Sequence, residues 1–201
     1  MKIAFISTVQ GHKWPGSEYL WSACAENLLA AKHRVFIGVS EDLRDAAQLK
    51  KLQANGAEVE FISPGFGRLA RWREKIAPGY KAVERFQPDL LVISSGSAYD
   101  PVYLSALGNF LKATKTPFIF ICHFNAETFW VDEPMRALMT QIFGKAQKAV
   151  FVSQENLRLT ERQLAFSIPR PVVIVPPLCV TVPEPLPWPE PAAEGPWLFA
   201  C

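Results

Sequence analysis

Three histidines, a Gly-Ser pair and a recurring row of serines are the residues here whose chemistry could act on a ligand. His123 directly follows Phe118-Ile119-Phe120-Ile121-Cys122, so a strand would deliver it as its last side chain. An imidazole there can donate to or accept from a substrate hydroxyl near neutral pH, or be satisfied by a nearby backbone carbonyl. Asn125 shares that strand end. Gly16-Ser17 opens a helical pattern, where free N–H groups and a flexible backbone can receive an anion such as a diphosphate, although many helices start this way without one. His12 lies in the loop before that helix, and His33 lies at the opposite end of a strand, where it reads as structural. Thr8, Ser40, Ser63, Ser94-Ser95, His123 and Ser153 each close an apolar run. Strand ends need hydrogen-bonding groups as the chain turns, but as a row these residues outline a crevice, with Ser95 and Ser153 as candidate ligand contacts.

Equally informative is what the chain lacks. The loop Gln10 to Ser17 contains neither G-x-G-x-x-G nor G-x-x-x-x-G-K-[ST], so it carries no dinucleotide fingerprint and no P-loop. A net charge of +2 with 20% charged residues gives no global field for nucleic acid. Cys24, Cys122, Cys179 and Cys201 are widely separated in apolar contexts, and read as reduced and structural. Residues 68–85 combine Arg68, Arg71, Arg73, Lys75, Lys81 and Arg85 with Trp72. That segment could touch an anionic membrane surface or a lipid-linked phosphate, or be a core stripe with a solvated basic face. No apolar run approaches the roughly 20 residues that span a bilayer and no cleavage site follows Met1, so a cytoplasmic, soluble protein is expected, with peripheral contact to the inner membrane face as a further option.

The elements that must position these residues are short and apolar. Ile3 to Ile6, Val35 to Val39, Val59 to Ile62, Leu90 to Ile93, Phe118 to Cys122, Ala149 to Val152 and Val172 to Val175 alternate with helical segments, which predicts right-handed βαβ units and a parallel sheet of about seven strands. The third run alternates with Glu58 and Glu60 and should be an edge strand; the others read as central. The first helix is expected over Glu18 to Lys32, with Leu20, Cys24, Leu28 and Ala31 facing the core, Ser17 as its cap and Glu18 against its positive end. Asp100-Pro101 should begin another helix, with proline at the first position.

Three regions follow: an α/β domain over 1–176, a proline-rich semi-rigid linker over 177–195, and the start of a further strand over 196–201. Because that last strand has nothing left in the sequence to cover it, the chain is expected to be the front part of a longer two-domain protein, or a piece cut there.

These local features resemble, in order, the amino-terminal domain of GT-B glycosyltransferases of the large retaining group (group 1, family-4-like). Met1-Lys2-Ile3-Ala4-Phe5-Ile6-Ser7 looks like the first strand of that family, and Pro15-Gly16-Ser17-Glu18 resembles its Gly-Gly-x-Glu turn, with Pro15 in place of the first glycine. His33-Arg34-Val35 is similar to its Gly-His-x-Val segment, with Lys32 in place of glycine. Val152-Ser153-Gln154-Glu155-Asn156-Leu157-Arg158 resembles its Val-Ser-Glu-x-x-x-Arg segment, and Pro177-Leu178-Cys179-Val180 stands where it usually has Asn-Gly-Val-Asp. The resemblance implies a Rossmann-like, doubly wound sheet as the N-terminal half of a two-domain GT-B architecture. It implies transfer from a nucleotide-sugar, with no metal, to a saccharide or lipid-linked acceptor. His123 would lie at the reacting sugar, Gly16 and Ser17 near the donor phosphates, and His12, Asn125, Ser95 and Ser153 at the substrate. A carboxy-terminal domain would hold most of the donor, leaving the isolated chain inactive. The alternatives are a non-catalytic sugar- or phosphosugar-binding module, or another Rossmann-type enzyme such as an epimerase, whose dinucleotide loop is missing here.

Overall fold

The computed structural model describes residues 1–63 and 80–174. Seven strands form one all-parallel sheet: β1 Lys2–Ser7, β2 Arg34–Ser40, β3 Glu58–Ser63, β4 Leu90–Ser95, β5 Phe118–Cys122, β6 Lys148–Phe151 and β7 Pro171–Val173, in the order β3-β2-β1-β4-β5-β6-β7. Among the described residues the helices are α1 Gly16–Ala30, α2 Ala47–Ala54, α3 Tyr80–Phe86, α4 Asp100–Tyr103, α5 Ser105–Ala113, α6 Glu133–Lys145 and α7 Gln154–Leu164. This is the doubly wound α/β arrangement expected from the alternation of apolar runs.

The two directions of winding explain the core. From β1 the chain steps outward through α1, β2, α2 and β3, then returns to the far side of β1 and steps the other way through β4 to β7. Right-handed crossovers in opposite directions put the helices on opposite faces. Ile3, Phe5, Val35 and Ile37 accordingly pack with Trp21 and Ala25 of α1 and Leu49 and Leu52 of α2. Their strand neighbours Ala4, Ile6, Phe36, Leu91 and Ile93 pack with Val83 and Phe86 of α3, Leu107 and Leu111 of α5 and Ile142 and Phe143 of α6. Strands apolar on both faces are what such a two-sided cover requires.

Several expectations need correction. Among the described residues β7 is the second edge strand, not a central one; with one neighbour there, Pro171 and Val173 are exposed. The first helix starts earlier, at Gly16, because Pro15 takes the extended N-cap conformation at φ −77° and ψ 170°. Ser17 therefore lies inside the first turn and is not the cap. Its buried face is Glu18, Trp21, Ser22 and Ala25; Leu20 and Leu28 flank it, whereas Cys24 and Ala31 are exposed. Trp21, fully buried and packed on Phe5 at 5.9 Å, sets that rotation. Asp100 and Pro101 begin α4 as expected, and Cys122 is a buried free thiol.

No helix among the described residues is long and apolar enough to cross a membrane. The basic segment up to Gly79, Cys179, Cys201, the proline-rich stretch and residues 196–201 lie outside the described residues.

Candidate active site

Strand order reverses between β1 and β4, so the chain leaves these neighbours toward opposite faces and a crevice opens beyond their carboxyl ends; ligands of open parallel sheets bind at such a point. Ser7 of β1 is paired with Ser94 of β4 across it, and both belong to the sheet face covered by α1.

Each serine holds one titratable side chain. Ser7 Oγ donates to Glu18 Oε1 at 2.8 Å, Trp21 Nε1 donates to Glu18 Oε2 at 2.7 Å, and Ser17 Oγ donates to Oε1 at 3.4 Å. Glu18 has no exposed surface. Burial raises its pKa to about 7, against the opposing pull of those three donors. On the other side, Ser94 Oγ and His123 Nε2 are 3.0 Å apart, and the His123 backbone N–H donates to the Ser95 carbonyl at 3.1 Å. Burial pulls the imidazole pKa down to about 4, so near neutral pH the ring is uncharged and acts as one donor and one acceptor. No hydrogen bond to its Nδ1 is present among the described residues.

Below this pair lies a carboxylate that sequence reasoning placed only at a helix start. Thr8 Oγ1 donates to Asp100 Oδ2, the Ser97 backbone N–H donates to the same oxygen at 3.1 Å, and the Gly96 N–H donates to Thr8 Oγ1 at 2.9 Å. Burial raises the Asp100 pKa against these bonds. Asp100 thus ties the β4–α4 turn to the end of β1. An Asp-Pro pair after a strand gives away the helix start; the tie to Thr8, 92 residues earlier, has no local signal.

The expected site residues divide into two groups. Gly16 is exposed as the first residue of α1, and Gly16, Ser17, Glu18 and His123 share the α1 side of the crevice. His12 is exposed in loop 8–15, which Asp42 holds by accepting from the Gly11 N–H at 2.8 Å. In the same loop Trp14 Nε1 is, among the described residues, the buried side-chain atom left without a hydrogen-bond partner. Asn125, Ser95 and Ser153 bond inward. Asn125 Nδ2 donates to Thr160 Oγ1 at 2.8 Å and Gln163 Oε1 at 2.9 Å, Ser95 Oγ donates to the Ser97 carbonyl at 2.7 Å, and Ser153 caps α7 by accepting from the Asn156 N–H at 3.0 Å. His33 lies at the amino edge, its Nδ1 3.3 Å from the N-terminal amine.

A cavity of about 450 Å³ also opens at the amino edge, lined among others by Val83, Glu84, Leu91, Phe110 and Lys115. It lies at the wrong end of the strands for the switch-point chemistry, and the geometry above outweighs its volume. Among the described residues no three His, Cys, Asp or Glu side chains gather to hold a metal ion.

No protein-family model matches the chain, and no curated protein does. Solved structures do. Anabaena Alr3699/HepE, in complex with UDP and glucose, superposes with a TM-score of 0.56 at 20% identity over 86% of this chain and 44% of that one. Glycyrrhiza uralensis UGT73P12, complexed with glycyrrhetinic acid 3-O-monoglucuronide, gives a TM-score of 0.44 at 10% identity over 85% and 47%, too distant to carry an argument. The chain spans less than half the length of either protein. At such identity the likeness speaks for the fold, and the fold is that of a GT-B glycosyltransferase-like half-domain.

Proposed function

We propose that this chain is the acceptor-side half of a glycosyltransferase that moves a sugar from a nucleotide-sugar to an acceptor. The observation that carries the reading is the pairing of Ser7–Glu18 with Ser94–His123 at the switch point, beside the first turn of α1. The fold likeness to HepE, solved with UDP and glucose, supports a nucleotide-sugar as donor.

Three groups divide the work in this reading. A neutral His123 hydrogen-bonds a hydroxyl of the transferring sugar, with Ser94 fixing its ring. Gly16 and Ser17 offer the donor diphosphate the N–H groups of the first turn of α1. Glu18, whose carboxyl titrates near 7, carries less negative charge on that turn than an ordinary glutamate would, which suits a diphosphate that gains charge as it leaves. Ser7 and Trp21, which hold the carboxyl, keep the turn in place.

The test is transfer from a set of radiolabelled nucleotide-sugars to mixed acceptors, run on the 201-residue chain and on the complete product of its gene. Transfer by the complete product but not by the chain is expected. Robust turnover by the chain alone overturns the half-site reading; binding of UDP with no transfer by either overturns catalysis and leaves a sugar-binding module.

A further inference from the structure

We propose that Ser94 donates its hydroxyl proton to Nε2 of His123 and so holds the ring as the Nδ1–H tautomer, which makes His123 a one-way hydrogen-bond donor to the crevice. A ligand atom that meets it must bring the lone pair. The inference rests on the proposed function only for what that ligand is.

A neutral imidazole carries its proton on one nitrogen, and the partner of the other nitrogen decides which. Ser94 Oγ lies 3.0 Å from Nε2, a separation that suits either tautomer. Burial tells them apart. Ser94 is 1% exposed, and among the described residues its hydroxyl has His123 Nε2 as its one partner. The neighbouring hydroxyls are engaged elsewhere: Ser7 Oγ donates to Glu18 and accepts from the Val9 N–H at 3.3 Å, and Thr8 Oγ1 donates to Asp100. If Nε2 carried the proton, Ser94 would accept it, and the serine's own proton would be buried with no acceptor. A buried donor left unmade costs its full desolvation. With the proton on Nδ1, Ser94 donates to a bare Nε2 and no buried donor of the pair is wasted.

Nδ1 is also the nitrogen that water or a ligand can reach. It has no hydrogen bond, yet among the described residues Trp14 Nε1 is the buried side-chain atom without a partner, so Nδ1 is open to solvent. The rest of the residue is held. Its backbone N–H donates to the Ser95 carbonyl at 3.1 Å, and Asn156 Nδ2 donates to its carbonyl at 3.3 Å. Ser94 is paired with Ser7 of β1 on one side and Ile121 of β5 on the other, so both ends of the serine–imidazole contact stand on fixed backbone. No carboxylate bonds the ring, and burial is what lowers its pKa. A histidine backed by a carboxylate is primed to take up a proton; one backed by a hydroxyl stays neutral and donates. The crevice therefore offers a single directional N–H, which suits a hydroxyl or phosphoryl oxygen and refuses an ammonium, which has no lone pair.

The experiment is nitrogen-15 spectroscopy of the 201-residue chain labelled at its three histidines, near neutral pH and without ligand, the His123 signals being those lost in His123→Gln. A protonated Nδ1 and a bare Nε2 are expected. In Ser94→Ala the tautomer ratio should move about 5-fold or more toward Nε2–H, the weight of one lost hydrogen bond, and Ser94→Thr should restore it. A protonated Nε2 in the wild-type chain, or a ratio that ignores Ser94→Ala, overturns the proposal; the wild-type spectrum decides even where the variant does not fold. UDP-glucose and UDP, added in turn to the complete product of the gene, then identify the oxygen. An Nδ1 signal moved by UDP-glucose alone marks a hydroxyl, one moved by both marks a phosphoryl oxygen, and UDP-glucose that binds without moving it overturns the contact. The Nδ1–H tautomer in a protein that transfers from no nucleotide-sugar leaves this inference standing and removes the transferase reading. Transfer by a protein whose Nε2 is protonated does the reverse.

Discussion

Glu18 and His123 are held in opposite protonation regimes, and their contributions to stability oppose each other over the same pH range. Glu18 titrates near 7 when folded, well above an exposed glutamate, so between about pH 4.5 and 7 the folded state binds the extra proton and stability falls as pH rises. His123 titrates near 4 when folded, below a free imidazole, so between about pH 4 and 6.5 the unfolded state binds the extra proton and stability rises with pH. Each slope is about 1 kcal/mol per pH unit. Over that shared range the two contributions offset each other in the wild-type chain's urea-unfolding stability, and the raised Asp100 carboxyl adds a falling component common to wild type and both variants. Glu18→Gln should uncover the rising slope and His123→Gln the falling one; parallel profiles in all three proteins would mean that neither group titrates as described. For catalysis, His123→Ala in the complete protein should lower turnover at least about 100-fold while shifting the urea midpoint little, and wild-type rates would remove His123 from the site. His123 was legible in sequence because a strand end delivers it. Glu18 was visible only as a helix-start charge, since its burial depends on Trp21 rotating inward and on Ser7 opposite. Nothing local in the sequence reveals Thr160 and Gln163, to which the Asn125 amide donates.

At the scale of elements, the apolar runs were readable almost to the residue, because a strand buried on both faces has no polar interruption. Helix registers were less so: α1 mixes apolar residues around its circumference, and packing on Phe5 chooses between faces that composition leaves equal. Helix ends carry a sharper lesson. α1 and α2 stop the same way. The Lys32 N–H donates to Leu29 O and the His33 N–H to Leu28 O, and likewise the Gly56 N–H to Gln53 O and the Ala57 N–H to Leu52 O, all at 2.9–3.0 Å. This paired pattern needs a left-handed residue at its centre. Gly56 supplies it at φ +99°, but at the first helix a lysine is forced to φ +63°. Lys32→Gly should therefore raise unfolding stability by about 0.5–1 kcal/mol, read as a higher urea midpoint at constant slope. A lower midpoint would show that the lysine side chain compensates elsewhere.

For the whole molecule, the doubly wound order follows from alternating runs and handed crossovers, and the polar row at strand ends follows from where turns occur. What the sequence could not show was which members of that row face one another: neighbourhood across the reversal joins residues far apart in the chain. Thr8 reaches Ser94 over 86 intervening steps and Asp100 over 92, and no shorter-range pairing substitutes for them. The seam between β1 and β4 is therefore also the costliest contact to form in time, because loop closure over such separations precedes any gain from it. Without that seam Ser7 and Ser94 do not face one another, and the crevice between them does not exist. Binding at the proposed crevice would therefore report the integrity of this long-range pairing as much as chemistry.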